Sequence, residues 1–146
     1  MAQSADLPHS LTRSPSFQIE RVRRHTKDEV ERALSQHGSS MREFWILSCV
    51  IDQPYSQTQL SELLAIDASD MVRLVDSLEK HEWVKRDRDP RDRRRQIVTP
   101  TKKGIKAHAT LADDVASAED RALDMSTTKQ LKSLKKLSKA ILEEEN

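Results

Sequence analysis

The chain has 146 residues, of which 34% are charged and only 3% aromatic, and its formal net charge is +1. This length suits one compact domain with attached helices, and a second full core is not expected. A single cysteine, Cys49, excludes an intramolecular disulfide and a cysteine-based zinc cluster, and two glycines among so many charges favour helices over a sandwich or barrel. Since no apolar run approaches the roughly 18 residues of a membrane-spanning helix and no signal pattern opens the chain, cytoplasmic placement without a membrane partner is expected.

The first third of the chain predicts a loose start followed by two helices. Residues 1–15 are rich in serine and contain two prolines, so they are expected to be flexible. Over residues 16–36 apolar side chains recur at steps of three and four, which indicates an amphipathic helix. Ser40 and Glu43 then have the spacing of a capping box ahead of the stretch FWILSCVI, a predicted core helix.

Two short helices separated by a short turn are predicted next. Ser56 and Gln59 repeat the capping-box spacing before LSELLAI, and Ser69 is the expected cap of a second helix. Its apolar face would carry Met71, Leu74, Val75 and Leu78. This is a helix-turn-helix pattern, although adjacent short helices also occur in helical proteins of other kinds.

The stretch RDRDPRDRRRQ, residues 86–96, interleaves six arginines with three aspartates. A run of one charge sign would indicate a disordered tail, whereas this mixture between the apolar pairs Trp83-Val84 and Ile97-Val98 predicts a hairpin with a charged tip. Strands are expected at residues 83–88 and 96–99. The predicted fold class is therefore mainly α with a small β-hairpin wing, an α+β winged helix-turn-helix.

The two ends of the chain supply further helices. Thr101 is the expected cap of a helix reaching residue 122, and Ser126 is expected to open a last one. Apolar stripes on the first and last long helices need a partner, which predicts a homodimer. The predicted organisation is a flexible N-terminus at residues 1–15, a helical dimerisation region at 16–38 and 105–146, and a winged helix-turn-helix DNA-binding domain at 39–104.

Double-stranded DNA is the partner that these elements would suit, because phosphates supply affinity and base edges supply discrimination. Arg73 lies opposite the apolar helix face and is the expected reader of guanine, its alternative being a surface arginine paired with Asp70 or Asp76. Ser69 and Asp70 lie beside it, and Asp70 is interpreted as a helix-start charge or as an acceptor from cytosine.

The wing and the preceding helix complete the candidate interface. The predicted wing contacts are Arg88, Arg91, Arg93, Arg94 and Arg95, with Arg91 at the tip. Asp89 and Asp92 are expected to order this hairpin by bidentate pairing with neighbouring guanidinium groups. Ser56, Gln57 and Thr58 suit phosphate contact. The alternative is a solvated, salt-bridged hairpin that touches no DNA.

Residues 41–104 resemble the MarR family of bacterial transcriptional regulators, most clearly in LVDSLEKHEWVKR, DPRDRRR and TPTKKG. The resemblance implies an obligate homodimer with interlocked terminal helices, which places two winged lobes on a pseudopalindromic operator. A repressor is the expected role, with an activator as the alternative. It also implies a small aromatic or anionic effector between the helices and the lobe. Trp45, Tyr55 and Trp83 could line such a pocket or anchor the core. Glu82 departs from the family, which usually has a left-handed glycine there.

Other classes of function find less support in the sequence. The five histidines (9, 25, 37, 81 and 108) lack metal spacing and are expected at the surface, and no nucleophile motif or phosphate loop occurs, so neither enzyme activity, metal nor cofactor is expected. A winged helix that docks proteins would share the fold but has no need for a dense arginine tip. A thiol redox sensor would use Cys49, whose apolar neighbours favour an inert thiol.

Overall fold

The computed structural model describes residues 6–145. Its elements in chain order are α1 (His9–Thr12), α2 (Pro15–Ser35), α3 (Met41–Asp52), β1 (Tyr55–Ser56), α4 (Gln57–Leu64), α5 (Ala68–Lys80), β2 (Val84–Arg88), β3 (Gln96–Pro100), α6 (Lys102–Ala122) and α7 (Thr128–Glu145). The predicted fold class is confirmed, since the chain is mainly helical with a small antiparallel sheet.

The sheet has the strand order β1-β3-β2. Strands β2 and β3 form the predicted hairpin, with Arg88 opposite Gln96 at its tip end and Val84 opposite Pro100 at its base. Strand β1 pairs with the other edge of β3, where Tyr55 lies opposite Val98. The sequence prediction lacked β1, because two residues are too few to show an alternating pattern.

The core lies where α2, α3, α5 and α6 meet the sheet. Helix α3 crosses its centre and buries Ile46, Leu47 and Val50, as the apolar composition of this segment predicted. Around it are Leu34 from α2, Leu60 from α4, Met71, Val75 and Leu78 from α5, Val98 from β3 and Leu111 from α6. Each such side chain contributes about 1.5 to 3 kcal/mol relative to exposure, so this cluster holds α4 and α5 in place.

Helix α7 contrasts with the other long helices, because none of its residues from Thr128 to Glu145 is buried. Its stripe of large apolar residues is half exposed: Leu131, Leu134, Leu137, Ile141 and Leu142. On α2, Ile19 and Val22 are exposed in the same way. The stripe predicted for α7 is therefore uncovered, whereas the stripe predicted for α2 is uncovered only at Ile19 and Val22, since Val30 and Leu34 pack into the core.

Two helix starts differ from the sequence prediction. Asp67, and not Ser69, is the N-cap of α5, since its carboxylate accepts a 3.1 Å hydrogen bond from the Ser69 amide. Thr127 occupies the capping position of α7, where its hydroxyl accepts from the Gln130 amide at 3.1 Å, so the helix begins after Ser126. Asp67 lies two residues before Ser69, and Thr127 lies one residue after Ser126. Asp, Ser and Thr all serve as N-caps, so the residue type alone does not decide which of two nearby candidates is the cap.

The expected flexible N-terminus also differs in part. Residues 1–5 lie outside the described residues, but His9–Thr12 form the short helix α1. The Thr12 carbonyl accepts a 2.7 Å hydrogen bond from the Gln18 side chain, which attaches α1 to α2.

His9 and His25 are exposed, as the sequence predicted, whereas the other three histidines are partly buried, and four of the five contact other parts of the chain. His37 Nε2 lies 2.5 Å from the Asp114 carboxylate and joins the end of α2 to α6, and His25 contacts the Ala122 carbonyl at 2.8 Å. His81 stacks on Trp83, with ring centroids 4.2 Å apart. His108 stacks on Phe44, and burial lowers the pKa of its imidazole. These side chains fasten elements to one another, which local sequence spacing does not reveal.

Candidate DNA interface

The helix-turn-helix consists of α4, a three-residue turn and α5. Ser56 and Gln59 form the complete predicted capping box at the start of α4, with reciprocal hydrogen bonds of 3.1 and 2.9 Å. Ala65 ends α4 in the left-handed conformation at φ 52°, and Ile66 is buried in the turn. The turn therefore holds α5 with one face on the core and the other in solvent.

The exposed face of α5 carries the predicted base reader. The Arg73 side chain is 77% exposed and forms an ion pair with Asp70 one turn earlier, as the alternative interpretation of Arg73 foresaw. Arg42, from the start of α3, approaches the other oxygen of Asp70 at 3.5 Å. Asp70 is thus shared by two arginines from two helices.

Arg86 joins the wing to both helices of the helix-turn-helix, a role that sequence reasoning missed. Its side chain is 20% exposed, and its Nε donates a 2.9 Å hydrogen bond to Glu79 of α5. Another of its nitrogens pairs with Asp76, and a third donates to the Gln57 side chain at 3.0 Å. Partial burial alone would lower the pKa of this guanidinium, but the hydrogen bonds to Glu79 and Asp76 outweigh it and raise the pKa.

The alternation of side chains along strand β2 could have predicted this position of Arg86. Side chains alternate between the two faces of a strand, so Arg86 lies on the same face as buried Val84, two residues before it. An arginine on the inner face needs charged partners, and Asp76 and Glu79 on the neighbouring helix are the carboxylates that it meets.

The aspartates of the wing order its turn through the backbone. Asp89 Oδ1 accepts from the Arg91 amide at 2.9 Å, and Asp92 Oδ1 accepts from the Arg94 amide at 3.1 Å. The expected bidentate pairing with guanidinium groups is therefore wrong in geometry, since Asp89 lies 3.9 Å from Arg95 and Asp92 meets Arg94 through Nε alone. A short aspartate side chain readily accepts a hydrogen bond from the backbone amide two residues later, whereas it does not reach both nitrogens of a more distant guanidinium group.

The five predicted wing arginines fall into two groups. Arg91, Arg93 and Arg94 lie around the tip, with the Arg94 side chain 91% exposed. Arg88 Nη1 lies 3.4 Å from the Arg93 carbonyl across the hairpin. Arg95 is only partly exposed and donates a 3.2 Å hydrogen bond to the Ser56 hydroxyl. Arg95 therefore connects the turn end of the hairpin to the start of α4, and the tip presents the other arginines outward.

The three predicted phosphate-contact residues also occupy different environments. Ser56 is 1% exposed, and its hydroxyl serves as helix cap and as acceptor for Arg95, so it is not presented to a phosphate. Gln57 is partly buried, and its side-chain oxygen accepts from Arg86. Thr58 is exposed at the first turn of α4.

Cys49 and the aromatic residues fit structural roles in most cases. Cys49 is partly buried, and burial, with a smaller contribution from Asp52, raises the pKa of its thiol. Trp83 is buried in the core, whereas Trp45 is 39% exposed on α3.

Residues 6–145 contain no group of three or more side chains that could hold a metal ion, and none of their helices is long and apolar enough to cross a membrane.

Comparison with known protein families matches part of this chain to one family model. The family model described as MarR family matches residues 40–95, the segment from the cap of α3 to the wing. No curated protein matches this sequence.

Solved structures show the same fold over nearly the whole chain. The chain is similar to a MarR-family transcriptional regulator from Rhodococcus sp. RHA1, at 24% identity and a TM-score of 0.85, covering 92% of this chain and 96% of that one. It is also similar to CouR from Rhodococcus jostii RHA1 bound to p-coumaroyl-CoA, at 24% identity and 0.79, covering 92% and 95%. A mutant MarR from E. coli complexed with operator DNA matches at 21% and 0.76, covering 87% and 92%. The resemblance read from the sequence is confirmed, and the fold is that of a MarR winged helix.

Proposed function

We propose that this chain, whose residues 40–95 match the MarR family model, is a cytoplasmic transcriptional repressor that binds a pseudopalindromic operator as a homodimer. The observation that carries the proposal is the pairing of an exposed arginine face on α5 with an exposed arginine tip on the adjoining hairpin. The exposed face of α5 would contact base edges in the major groove, and the hairpin tip would contact the neighbouring minor groove.

Recognition of bases is assigned to α5, lying in the major groove. Arg73 is exposed enough to reach a guanine, where its guanidinium would donate to both acceptor atoms of the base edge. The ion pair between Arg73 and Asp70 has to break for this contact. Ser69 lies beside Asp70 on the first turn of α5. Asp70 itself is assigned the role of holding Arg73 in the free protein, because a carboxylate near phosphates is unfavourable.

Affinity is assigned to the wing and to the start of α4. Arg91, Arg93 and Arg94 would enter the minor groove or meet its phosphates, where a narrow groove has the most negative potential. Residues 85–95 hold seven basic and three acidic side chains, a net charge of +4, while the whole chain has only +1. Such localised charge suits binding at a specific site better than coating of DNA.

The terminal helices are assigned to dimerisation. The half-exposed stripe of α7 and the exposed Ile19 and Val22 of α2 would be covered by the partner, so residues 16–38 and 105–146 would form the dimerisation region beside the DNA-binding domain at 39–104. Two lobes related by twofold symmetry would read two half-sites. A small aromatic or anionic effector between these helices and the lobe would release the operator.

Selection of bound duplexes from a random DNA pool tests the proposal directly. The expected winner is a palindrome, since a symmetric dimer places the same α5 on each half-site. The matched control is the same selection with Arg73→Ala, which should enrich duplexes less and lose one symmetric base preference. If no duplex is enriched above the starting pool, the protein-docking winged helix becomes the better account.

A further inference from the structure

Helix α7 carries a face of lysines on the side opposite its apolar stripe. Leu134 of the stripe lines a groove of about 420 Å³ together with Ile19 and Val22 of α2. Successive residues of an α-helix lie about 100° apart, so the side turned away from this groove carries the lysines of α7. This lysine face consists of Lys129, Lys132, Lys135, Lys136 and Lys139, which are all exposed.

The charge of the lysine face is not balanced by the residues around it. Residues 128–142 contain five lysines and no acidic residue, a charge of +5, which leaves −4 for the rest of a chain whose total is +1. Among the five lysines, only Lys139 forms an ion pair within residues 6–145, a 3.9 Å contact with Glu143. Both side chains of this pair are more than two-thirds exposed, so the contact contributes little.

The order of charges along α7 disfavours the helix that carries them. Acidic side chains stabilise the first turn of a helix and basic side chains stabilise its last turn, but α7 has neither. Lys129 lies in the first turn instead, and the last turn contains Glu143, Glu144 and Glu145. Lysines three and four residues apart also repel one another. Helix stability therefore does not account for the lysine face, and neutralisation by an external polyanion would relieve the repulsion.

We propose that the lysine face of α7 is a second DNA-binding surface, which holds the phosphate backbone of a further duplex segment without sequence preference. The inference goes beyond the proposed function, which assigns α7 to dimerisation alone. From Lys129 to Lys139 the helix extends about 15 Å, and a duplex presents on the order of nine phosphate charges over that length. An ammonium group is a compact point charge, which contacts phosphates without the planar geometry that arginine imposes.

The lysine face is separate from the surface that the proposed function assigns to the operator. Among residues 6–145, no hydrogen bond or ion pair joins α7 to α5 or to the hairpin, whereas Arg86 ties the hairpin to α5. The groove at Leu134 places α7 beside α2 and the residue that follows α6, Leu123. One dimer would therefore hold the operator with its wings and a second segment of DNA with α7.

An anionic membrane is the other polyanion that an amphipathic lysine helix would suit. Membrane binding would take up the apolar stripe, but Leu134 of that stripe faces the groove with α2. Residues 128–145 also contain no tryptophan, tyrosine or phenylalanine, the side chains that anchor such helices at a membrane interface. With its apolar side directed to the protein, α7 presents only lysines outward, and this favours DNA.

The test measures capture of a second duplex by the full chain. Biotinylated operator, obtained by the selection described above, holds the protein on beads, and a fluorescent duplex of unrelated sequence is added in excess. The wild-type chain should retain the fluorescent duplex at about 50 mM salt and release most of it at about 200 mM, because lysine–phosphate contacts weaken as salt rises.

Paired substitutions on α7 identify the lysine face as the cause. Lys132→Gln with Lys136→Gln should bind the operator as wild type does but capture less fluorescent duplex. The salt slope of capture should fall by about two units, since each lost phosphate contact removes roughly 0.9. Lys132→Arg with Lys136→Arg keeps both charges and should capture as wild type does. Arg13→Gln with Arg24→Gln removes two exposed charges outside α7 and is the matched control, which should also leave capture unchanged.

The two lobes of a dimer would offer another way to bridge duplexes, and both lobes are intact in the Lys132→Gln, Lys136→Gln variant. Equal capture by this variant and the wild type would therefore overturn the inference. Its melting temperature should equal or exceed that of the wild type, because repulsion between lysines is reduced. A lower melting temperature would mean that the lysines serve the fold, and it would overturn the inference as well.

Two further measurements separate the membrane alternative and the proposed function from this inference. The wild type should not float with vesicles of phosphatidylcholine and phosphatidylserine, and flotation without duplex capture would overturn the inference in favour of a membrane. If the operator beads retain no protein, the proposed function fails. The lysine face is then decided by anisotropy of the unrelated duplex: weaker binding by the Lys132→Gln, Lys136→Gln variant than by wild type supports it, and equal or absent binding overturns it.

Discussion

Arg86 Nε donates a 2.9 Å hydrogen bond to Glu79 Oε1, and this contact fixes strand β2 of the wing against the recognition helix α5. Asp76 and Gln57 bind the remaining nitrogens of the same guanidinium, so one side chain sets the position of the wing relative to both α4 and α5. The arginine-rich run therefore divides into two groups, since Arg86 and Arg95 bind neighbouring elements while Arg91, Arg93 and Arg94 are exposed at the tip.

Replacing Arg86 by Ala should lower the free energy of unfolding by about 1 to 3 kcal/mol, because two carboxylates are left without their charged hydrogen-bond donor. Arg86→Lys should recover only part of this stability, since an ammonium lacks the planar fork. Urea denaturation gives the comparison. Arg93→Ala, at the exposed tip, is the control and should stay within about 0.5 kcal/mol of wild type. Equal free energies of unfolding for the Arg86→Ala and Arg93→Ala variants would show that the contacts of Arg86 with Glu79 and Asp76 do not stabilise the fold.

Replacing Glu82 by Gly should stabilise the chain by about 0.5 to 1 kcal/mol. Glu82 ends the recognition-helix segment at φ 63°, the left-handed conformation expected at this departure from the family pattern, and such a conformation is unfavourable for a residue with a Cβ. Its ion pair with Lys103 is exposed and contributes little. Thermal unfolding measures the gain. Lys80→Gly, at the last residue of α5, should instead destabilise by up to about 1 kcal/mol. Destabilisation in both variants would show that the turn is not strained.

Replacing Arg73 and Arg91 separately by Ala should impair DNA binding in different ways. Arg73→Ala should cost about 1 to 3 kcal/mol on the selected operator and relax one symmetric base position. Arg91→Ala should weaken operator and unrelated duplexes more evenly, and it should reduce the salt slope by roughly one unit for each phosphate that the arginine neutralises in the wild-type complex.

Affinities at several salt concentrations on matched and scrambled duplexes distinguish these two effects. If Arg91 enters a narrow minor groove, its removal should matter more on operators with A-tract flanks than on those with G·C-rich flanks. An Arg91→Ala protein that behaves as wild type on every duplex would indicate a solvated hairpin.

Replacing Cys49 by Ser should leave the affinity for DNA and its response to peroxide unchanged. Burial and Asp52 both raise the pKa of this thiol, so the reactive thiolate is scarce at neutral pH. Anisotropy of labelled operator before and after peroxide treatment makes the comparison. Release of the wild type but not of the serine variant by peroxide would support the redox-sensor alternative instead.

Placing a charge on the apolar stripe of α7 should dissociate the dimer. Leu134→Glu puts a carboxylate among half-exposed leucines that the partner is proposed to cover, and burial of an unpaired charge is strongly unfavourable. Sedimentation equilibrium at micromolar concentration should give a mass near the 16.8 kDa of one chain for this variant and twice that for wild type. Lys136→Glu, on the opposite side of the helix, should remain dimeric. A monomeric wild type would remove the basis of the dimeric architecture.

Features that depend on neighbouring residues could be predicted from the sequence. Apolar spacing identified the helices after α1 and the core face of α5, and the Ser56–Gln59 capping box formed as expected because its partners are three residues apart. The alternation of apolar pairs and charges likewise predicted the hairpin. Each of these signals lies within one turn of helix or one strand pair, so the local sequence contains it.

Contacts between distant elements were decided only by the tertiary structure. Arg86 meets Glu79 and Asp76 because α5 packs along β2, and Asp70 faces Arg42 because α3 packs against α5. Strand β1 exists only because β3 offers it an edge, so its two residues have no recognisable pattern of their own. A charged side chain pairs with whichever opposite charge the packing brings within about 4 Å, and spacing along the chain does not encode that choice.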